Sequence, residues 1–329
     1  MRNKKLFCLI GAIIILSMFN MSCNKKESDP VGTKPQCSVK PTSTAQLTPT
    51  QSAQATQAPN NGENNSPWKL LSSSSVTTSM FYAGFLNENI GVAVGYEGAV
   101  SYTTDGGKNW TVSDVTSSCR YGLDYYDENF LVTGGNTGVN MISKDKGKTW
   151  SKLGEFPLKG TGEFNRFVSV IDKKNIFLGA PQALAVSKDG GKTWKEIDVP
   201  KDCRKIVGTF FFNPQIGYVL GKDGTLYKTT DSCKTWTTQK VDLKGEKIML
   251  EFSMPTTAIN FQNENDGMIV LGTQSHQMLC LKTSDGGKSW ETINMPKAPG
   301  LSPYLTRDGK FLTISALTKE ISLFQLSNE

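Results

Sequence analysis

The chain has 329 residues, 37% of them hydrophobic and 20% charged, which is enough for one large domain or two ordinary ones. Its formal charge of +6 includes Arg2, Lys4 and Lys5, so the rest of the chain stands at about +3, spread as scattered lysine. No cluster of basic residues with interleaved aromatics occurs, which excludes a nucleic-acid-binding stripe.

The first segment is an export signal. A basic "MRNKK" precedes the apolar run "LFCLIGAIIILSMF", whose 14 residues fall short of a bilayer span of roughly 20. The "NMSC" that follows resembles the lipobox of bacterial lipoproteins, with residues 1–22 as the signal peptide and Cys23 as the lipid-bearing first residue. Asn20 departs from that pattern, where leucine is usual. Residues 23–66 are rich in Ser, Thr, Pro, Gln and Asn and hold no aromatic residue. Such a segment buries too little apolar surface to offset the entropy of ordering, and is expected to be a disordered stalk on a membrane anchor.

Residues 67–329 repeat themselves. "TTDGGKNW", "SKDKGKTW", "SKDGGKTW", "TTDSCKTW" and "TSDGGKSW" place aspartates at Asp105, Asp145, Asp189, Asp231 and Asp285, spaced 40, 44, 42 and 54 residues apart. Each phrase closes on a tryptophan: Trp110, Trp150, Trp194, Trp236 and Trp290. Upstream of each lie three β-rich runs separated by Asn/Asp/Gly turns, as in "MFYAGFLNENIGVAVGYEGAVSYTTDGGKNW". A period near 40 with this pattern predicts an all-β propeller of four-stranded blades. The phrase is the Asp-box, Ser/Thr-x-Asp-x-Gly-x-x-Trp. Its aspartate accepts hydrogen bonds within its own turn, its glycine supplies a positive φ, and its tryptophan starts the outer strand. Five near-copies at even spacing point to folding rather than to one catalytic or calcium site, and no metal or cofactor site is expected.

The sixth tryptophan, Trp68 in "SPWKLLS", has no box before it. After Trp290 come only three strand-like runs, "SPYLTR", "KFLTISAL" and "EISLFQLS". The economical solution is ring closure, with the Trp68 strand completing a sixth blade and removing the open edge.

These boxes, with their "NENIGVAVGYEGAV"-type leaders, resemble the BNR/Asp-box propellers, and most closely the photosystem II assembly and stability factor-like proteins. The resemblance covers about 260 residues. It implies a single propeller; members of that group often have seven blades, whereas the count here is about six. Sialidases, xyloglucan-cleaving glycosidases and sortilin-type receptors share the box, so the resemblance is specific for fold and weak for function.

A sialidase needs three arginines, a tyrosine–glutamate pair and an acidic aspartate. After the signal only Arg120, Arg166, Arg204 and Arg307 remain, without an Arg-Ile-Pro string. For a glycosidase in general, Asp124, Glu163, Glu246 and Glu251 are available carboxylates without a motif. His276 is the single histidine, and seven cysteines compel no pairing. Counted back from their blade turns, Arg120, Arg166 and Arg204 occupy comparable places at the starts of three adjacent inner strands. They are expected to form a cationic patch at the mouth opposite the Asp-box turns. The extra residues of the longest gap, around "KVDLKGEKIMLEFSMPTT", emerge on the same face. The sequence reading is therefore a non-enzymatic, monomeric, exported lipoprotein outside the bacterial cytoplasmic membrane. Its propeller would bind an acidic protein segment or acidic glycan, or assist assembly of a membrane complex. The alternative is a carbohydrate-active surface protein, a glycoside hydrolase or glycan-binding module.

Overall fold

The computed structural model describes residues 66–327 apart from 77–79, 96–97, 114–119, 136–138, 155–164, 250–255, 299 and 316–318. The signal, Cys23 and the stalk up to residue 65 lie outside the described residues.

Every regular element among the described residues is a strand. The first strand among the described residues is β1 (Trp68–Ser75). Blade 1 follows as β2–β5 (Met80–Phe85, Gly91–Gly95, Val100–Thr103, Thr111–Ser113), and blade 2 as β6–β9 (Arg120–Asp127, Phe130–Gly135, Met141–Ser143, Ser151–Lys152). Blade 3 is β10–β13 (Phe167–Val170, Ile176–Ala180, Ala183–Ser187, Lys195–Ile197) and blade 4 is β14–β17 (Ile206–Phe211, Gly217–Gly221, Thr225–Thr229, Thr237–Lys240). Blade 5 is β18–β21 (Thr257–Phe261, Gly267–Gly272, Met278–Thr283, Glu291–Ile293), and β22–β24 (Ser302–Leu305, Phe311–Ser315, Glu320–Leu326) belong to blade 6.

All strand pairs are antiparallel, and the sixth sheet has the order β1-β24-β23-β22. Trp68 pairs with Leu326 and Ser75 with Glu320, so the N-terminal strand closes the ring. The structure is a six-bladed propeller, which decides the blade count against seven.

Side-chain chemistry explains the layering. The second strands read as short apolar runs such as "GVAVG" and "GYVLG" and are buried along their length. The outer strands, such as "TTQK" and "KEI", are polar and exposed. Aromatic stacks fasten neighbouring blades: Phe177 lies on Phe211 at 3.7 Å between centroids, and Tyr218 on Phe261 at 3.8 Å. Antiparallel alternation fixes two unlike faces. The inner strands end, and the Asp-box turns lie, on one face; the inner strands start, and the blade-to-blade links run, on the other.

Candidate functional site

Each Asp-box cages its own carboxylate. Thr103 Oγ1 donates to Asp105 Oδ1 at 2.8 Å and accepts from Gly107 N at 3.0 Å. Asn109 donates its backbone N–H to Oδ1 at 3.0 Å and its side-chain amide to Oδ2 at 2.7 Å. The pattern repeats with Ser143 and Thr149 on Asp145, Ser187 and Thr193 on Asp189, Thr229 and Thr235 on Asp231, and Thr283 and Ser289 on Asp285. The side chain just before each tryptophan is thus a constant member of the cage. Its signal, Asn, Thr or Ser at that place in all five phrases, stands in the sequence and went unread. The donated hydrogen bonds, that of Thr193 foremost, hold Asp189 at about 2, and those led by Thr235 hold Asp231 at about 2. Such carboxylates are poor proton donors near neutral pH.

The tryptophans differ in their ties. Trp150 and Trp290 donate to the carbonyls of Gly147 and Gly287 in their own boxes, and Trp194 to Gly154 O. Trp110 reaches Ser74 on β1, and Trp236 packs beside Phe211 and Cys233. Trp68 is buried, 4% exposed, among Val270, Leu312 and Phe324.

The three arginines do not form a patch. Arg120 is fully buried and donates to Val139 O at 2.7 Å. The physical reason is a register shift in β6 between Arg120 and Gly122, a bulge that re-aims the side chain into the sheet. Arg166 is half-buried and lines the channel; Arg204 alone is exposed, at the bend before β14, with exposed Lys201, Lys222, Asp202 and Asp223 in the neighbouring turns. Of the long link before blade 5, Leu243–Glu246 form a turn and Ile248 bridges to Thr273, while residues 250–255 lie outside the described residues.

The channel interior holds a charge that sequence reasoning did not place. Asp124 on β6 accepts from Val170 N at 2.7 Å, from Tyr304 Oη at 3.2 Å and from Arg307 Nη2 at 3.3 Å. Arg307 lies in the turn after β22 and spans the mouth on the Asp-box face. Its Nη1 donates to Phe211 O at 3.2 Å, and its guanidinium sits 5.4 Å from the Phe210 ring. One carboxylate therefore links blades 2, 3 and 6, and through Arg307 blade 4. The space left in the channel is about 50 Å3. Burial first, and the Asp124 charge second, push the Tyr82 and Tyr304 phenols far above their ordinary value, so both stay protonated. Neither resembles an activated nucleophile.

The other candidates lie apart. Glu246 accepts from Ser275 Oγ at 2.7 Å on the opposite face, and His276 is an exposed turn residue with φ +60°. Glu163, Glu251 and Cys119 fall outside the described residues. Cys203, Cys233 and Cys280 are thiols, and burial pushes Cys233 and Cys280 up to about 12. Among the described residues no group of His, Cys, Asp and Glu converges to hold a metal.

Comparison with known proteins adds to this geometry. The photosystem II assembly lipoprotein Ycf48 of Picosynechococcus sp. is 30% identical over 182 residues, 43% of this chain and 50% of that protein. Its namesake from a Synechococcus strain is 29% identical over 157 residues, 46% of this chain and 43% of that protein. The chain is an Asp-box β-propeller similar to the photosystem II assembly factors. It spans about half the length of the curated relatives it matches. A family model described as Sortilin-Vps10, sortilin, neurotensin receptor 3, matches residues 182–298, which covers the third, fourth and fifth boxes. A solved structure of U3-55K shares the fold at 10% identity, with TM-score 0.57 over 79% of this chain and 98% of that one.

Proposed function

We propose that this propeller is a non-enzymatic capture module on an exported lipoprotein, which holds a protein partner during assembly of a membrane or extracellular complex. One observation carries the non-enzymatic part: the buried channel carboxylate, Asp124, is satisfied by a backbone amide, a phenol and a guanidinium. Glycosidases work with two carboxyls flanking the scissile bond, and the walls around Asp124 offer arginine, tyrosine, serine and threonine instead. The names of the curated relatives, assembly lipoproteins, support the assembly role and the anchor. The export signal and Cys23 support a position on the outer side of the bacterial cytoplasmic membrane. The partner chemistry follows from the face opposite the boxes, where exposed Arg204, with Lys201 and Lys222, favours an acidic segment. Arg166 stands at the channel end of that face, while buried Arg120 supports the sheet and is not a contact.

The experiment pairs two measurements on the purified full chain. Acidic and neutral peptides of equal length are titrated against wild type and Arg204→Ala/Lys222→Ala, and a panel of glycans is screened for cleavage. Preference for the acidic peptide that falls about tenfold in the variant, about 1.4 kcal/mol, supports the reading. Glycan cleavage, or acidic-peptide binding indifferent to the variant, overturns it.

A further inference from the structure

The mouth on the Asp-box face is built differently from the one beside Arg204. Two of the exposed large apolar side chains, Tyr126 at 45% and Phe212 at 37%, occupy the same place in blades 2 and 4, at or just past the end of the inner strand. The others, Leu70, Leu71 and Val112, lie on outer strands. Arg307 joins the two lips: it bonds to the carbonyl of Phe211, next to Phe212, and to Asp124, two residues before Tyr126. Between Tyr126 and Arg307 opens a cleft of about 210 Å3, lined also by Leu86, Tyr125, Tyr304, Thr306 and Asp308. That volume is below the several hundred Å3 of drug-sized ligand sites, about 300 Å3 at the least, and suits one inserted aromatic side chain.

We propose that this cleft is a docking site for an extended peptide segment of a partner protein, which inserts one aromatic side chain between Tyr126 and Arg307. Charge complementarity selects that occupant. Arg307 spends one N–H on Phe211 O and one on Asp124. Asp308 lines the same cleft, with Oδ1 taken by Thr306 Oγ1 and Lys310 N and the exposed Oδ2 3.7 Å from Lys310 Nζ. A guanidinium and a carboxylate lining one cleft match the C=O and N–H of one peptide unit. Three further polar groups of the cleft are already committed: Tyr304 Oη to Asp124, Tyr125 Oη to Gly84 O, and Thr306 Oγ1 to Asp308 at 2.6 Å. A sugar, which needs many free partners, is served poorly by such walls; an apolar ring is served well. The inference rests on the reading of a protein partner but uses the opposite face, so the two are separable.

The test screens an array of random, acetylated and amidated octapeptides with the full chain, and a glycan array in parallel. Variants are Tyr126→Ala/Phe212→Ala and Arg204→Ala/Lys222→Ala. Both alter exposed side chains, and unchanged melting temperatures check that each still folds. Enriched peptides should contain Trp, Tyr or Phe. Changing that residue to alanine, or using the aromatic double variant, should weaken binding at least tenfold, whereas the arginine–lysine variant should leave these peptides bound. Peptide binding that survives Tyr126→Ala/Phe212→Ala overturns the site and leaves the capture reading standing. Binding of glycans but no peptide, lost in the aromatic variant, overturns the peptide occupant. No peptide held at either face overturns both readings.

Discussion

The indole N–H of Trp110, in the first Asp-box, donates to Ser74 Oγ on the closing strand at 2.9 Å. The first blade in sequence thus grips the last blade in space, and β1 serves both as the outer strand of blade 6 and as a docking rail for blade 1. Trp68 anchors the same strand in the core of blades 5 and 6. Removing Trp68 alone takes away a buried aromatic, a loss of about 3–5 kcal/mol and a large share of typical domain stability. A chain beginning at Ser73 should melt well below one beginning at Asn61, or aggregate through the bared edge of β24. Equal melting of the two would refute closure by this strand. Ser74→Ala, which removes only the acceptor, should lose about 1 kcal/mol in urea unfolding.

The caged carboxylates predict an acid limit to stability. An unfolded aspartate titrates near about 3.9, whereas Asp189 and Asp231 titrate at about 2 in the fold. The folded state binds the charged form more tightly. Stability is therefore present above the unfolded pKa and is lost as pH falls from about 4 through about 2. Asp105, Asp145 and Asp285 are shifted the same way and add to the loss at acid pH. Tryptophan fluorescence should report acid unfolding there. Asp189→Asn should make the protein less stable at neutral pH and should flatten the slope between pH 4 and 2.

The fourth box strays from its siblings. The residue after the aspartate takes a positive φ in every box, and is glycine in three of them, at Gly106, Gly190 and Gly286. Box two has Lys146 there at φ +65°, and box four has Ser232 at φ +62°. A left-handed conformation burdens an L-residue by roughly 1–2 kcal/mol and glycine hardly at all. Ser232 is exposed and makes no packing contribution that glycine would lose. Ser232→Gly should therefore raise stability by about 1 kcal/mol, seen as a higher denaturant midpoint with unchanged slope. Cys233, also at positive φ, is a different case: it is buried against Phe177 and Phe211, and Cys233→Gly gives up that packing.

The lipid anchor is tested on the intact cell. Cys23→Ser removes the thiol that a lipoprotein pathway would modify, while leaving the apolar stretch in place. Fatty-acid labelling should mark the wild type and not the variant, and the variant should move from the membrane pellet to the soluble exported fraction. Equal labelling of both would remove Cys23 as the anchor and return Asn20 to attention.

Fold and site were unequally legible. Five boxes at near-even spacing and a sixth tryptophan without a box specify six blades and their closure, because each blade repeats the same local chemistry. The arginine patch was misread because strand-face counting assumes an unbroken register. Bulges interrupt β2, β6 and β14 at the beginnings of the strands. The centre of the site was hidden for another reason. Asp124 and Arg307 stand 183 residues apart and meet only once the ring closes, and Arg307 sits in a turn of the one blade that lacks a box. Nothing local in "LTRDGK" or "GLDYYDEN" signals the partnership.

That pair carries the last prediction. The side chains of Asp124 and Arg307 are 10% and 30% exposed, so the ion pair is largely withdrawn from water. Removing one partner from a buried pair typically loses about 3–5 kcal/mol, because the other charge is left uncompensated. Arg307 is partly wet, so Arg307→Ala should lose about 3 kcal/mol, at the low end of that range. Asp124→Asn/Arg307→Ala should recover part of the loss. Asparagine is neutral, its oxygen still accepts from Val170 N, and Tyr304 keeps a partner. Three chemical-denaturation curves decide it. If the double variant is less stable than Arg307→Ala alone, then Arg307 stabilises through its contacts with Phe210 and Phe211 rather than through the charge of Asp124. If the double variant is the more stable of the two, the carboxylate is what makes the arginine necessary.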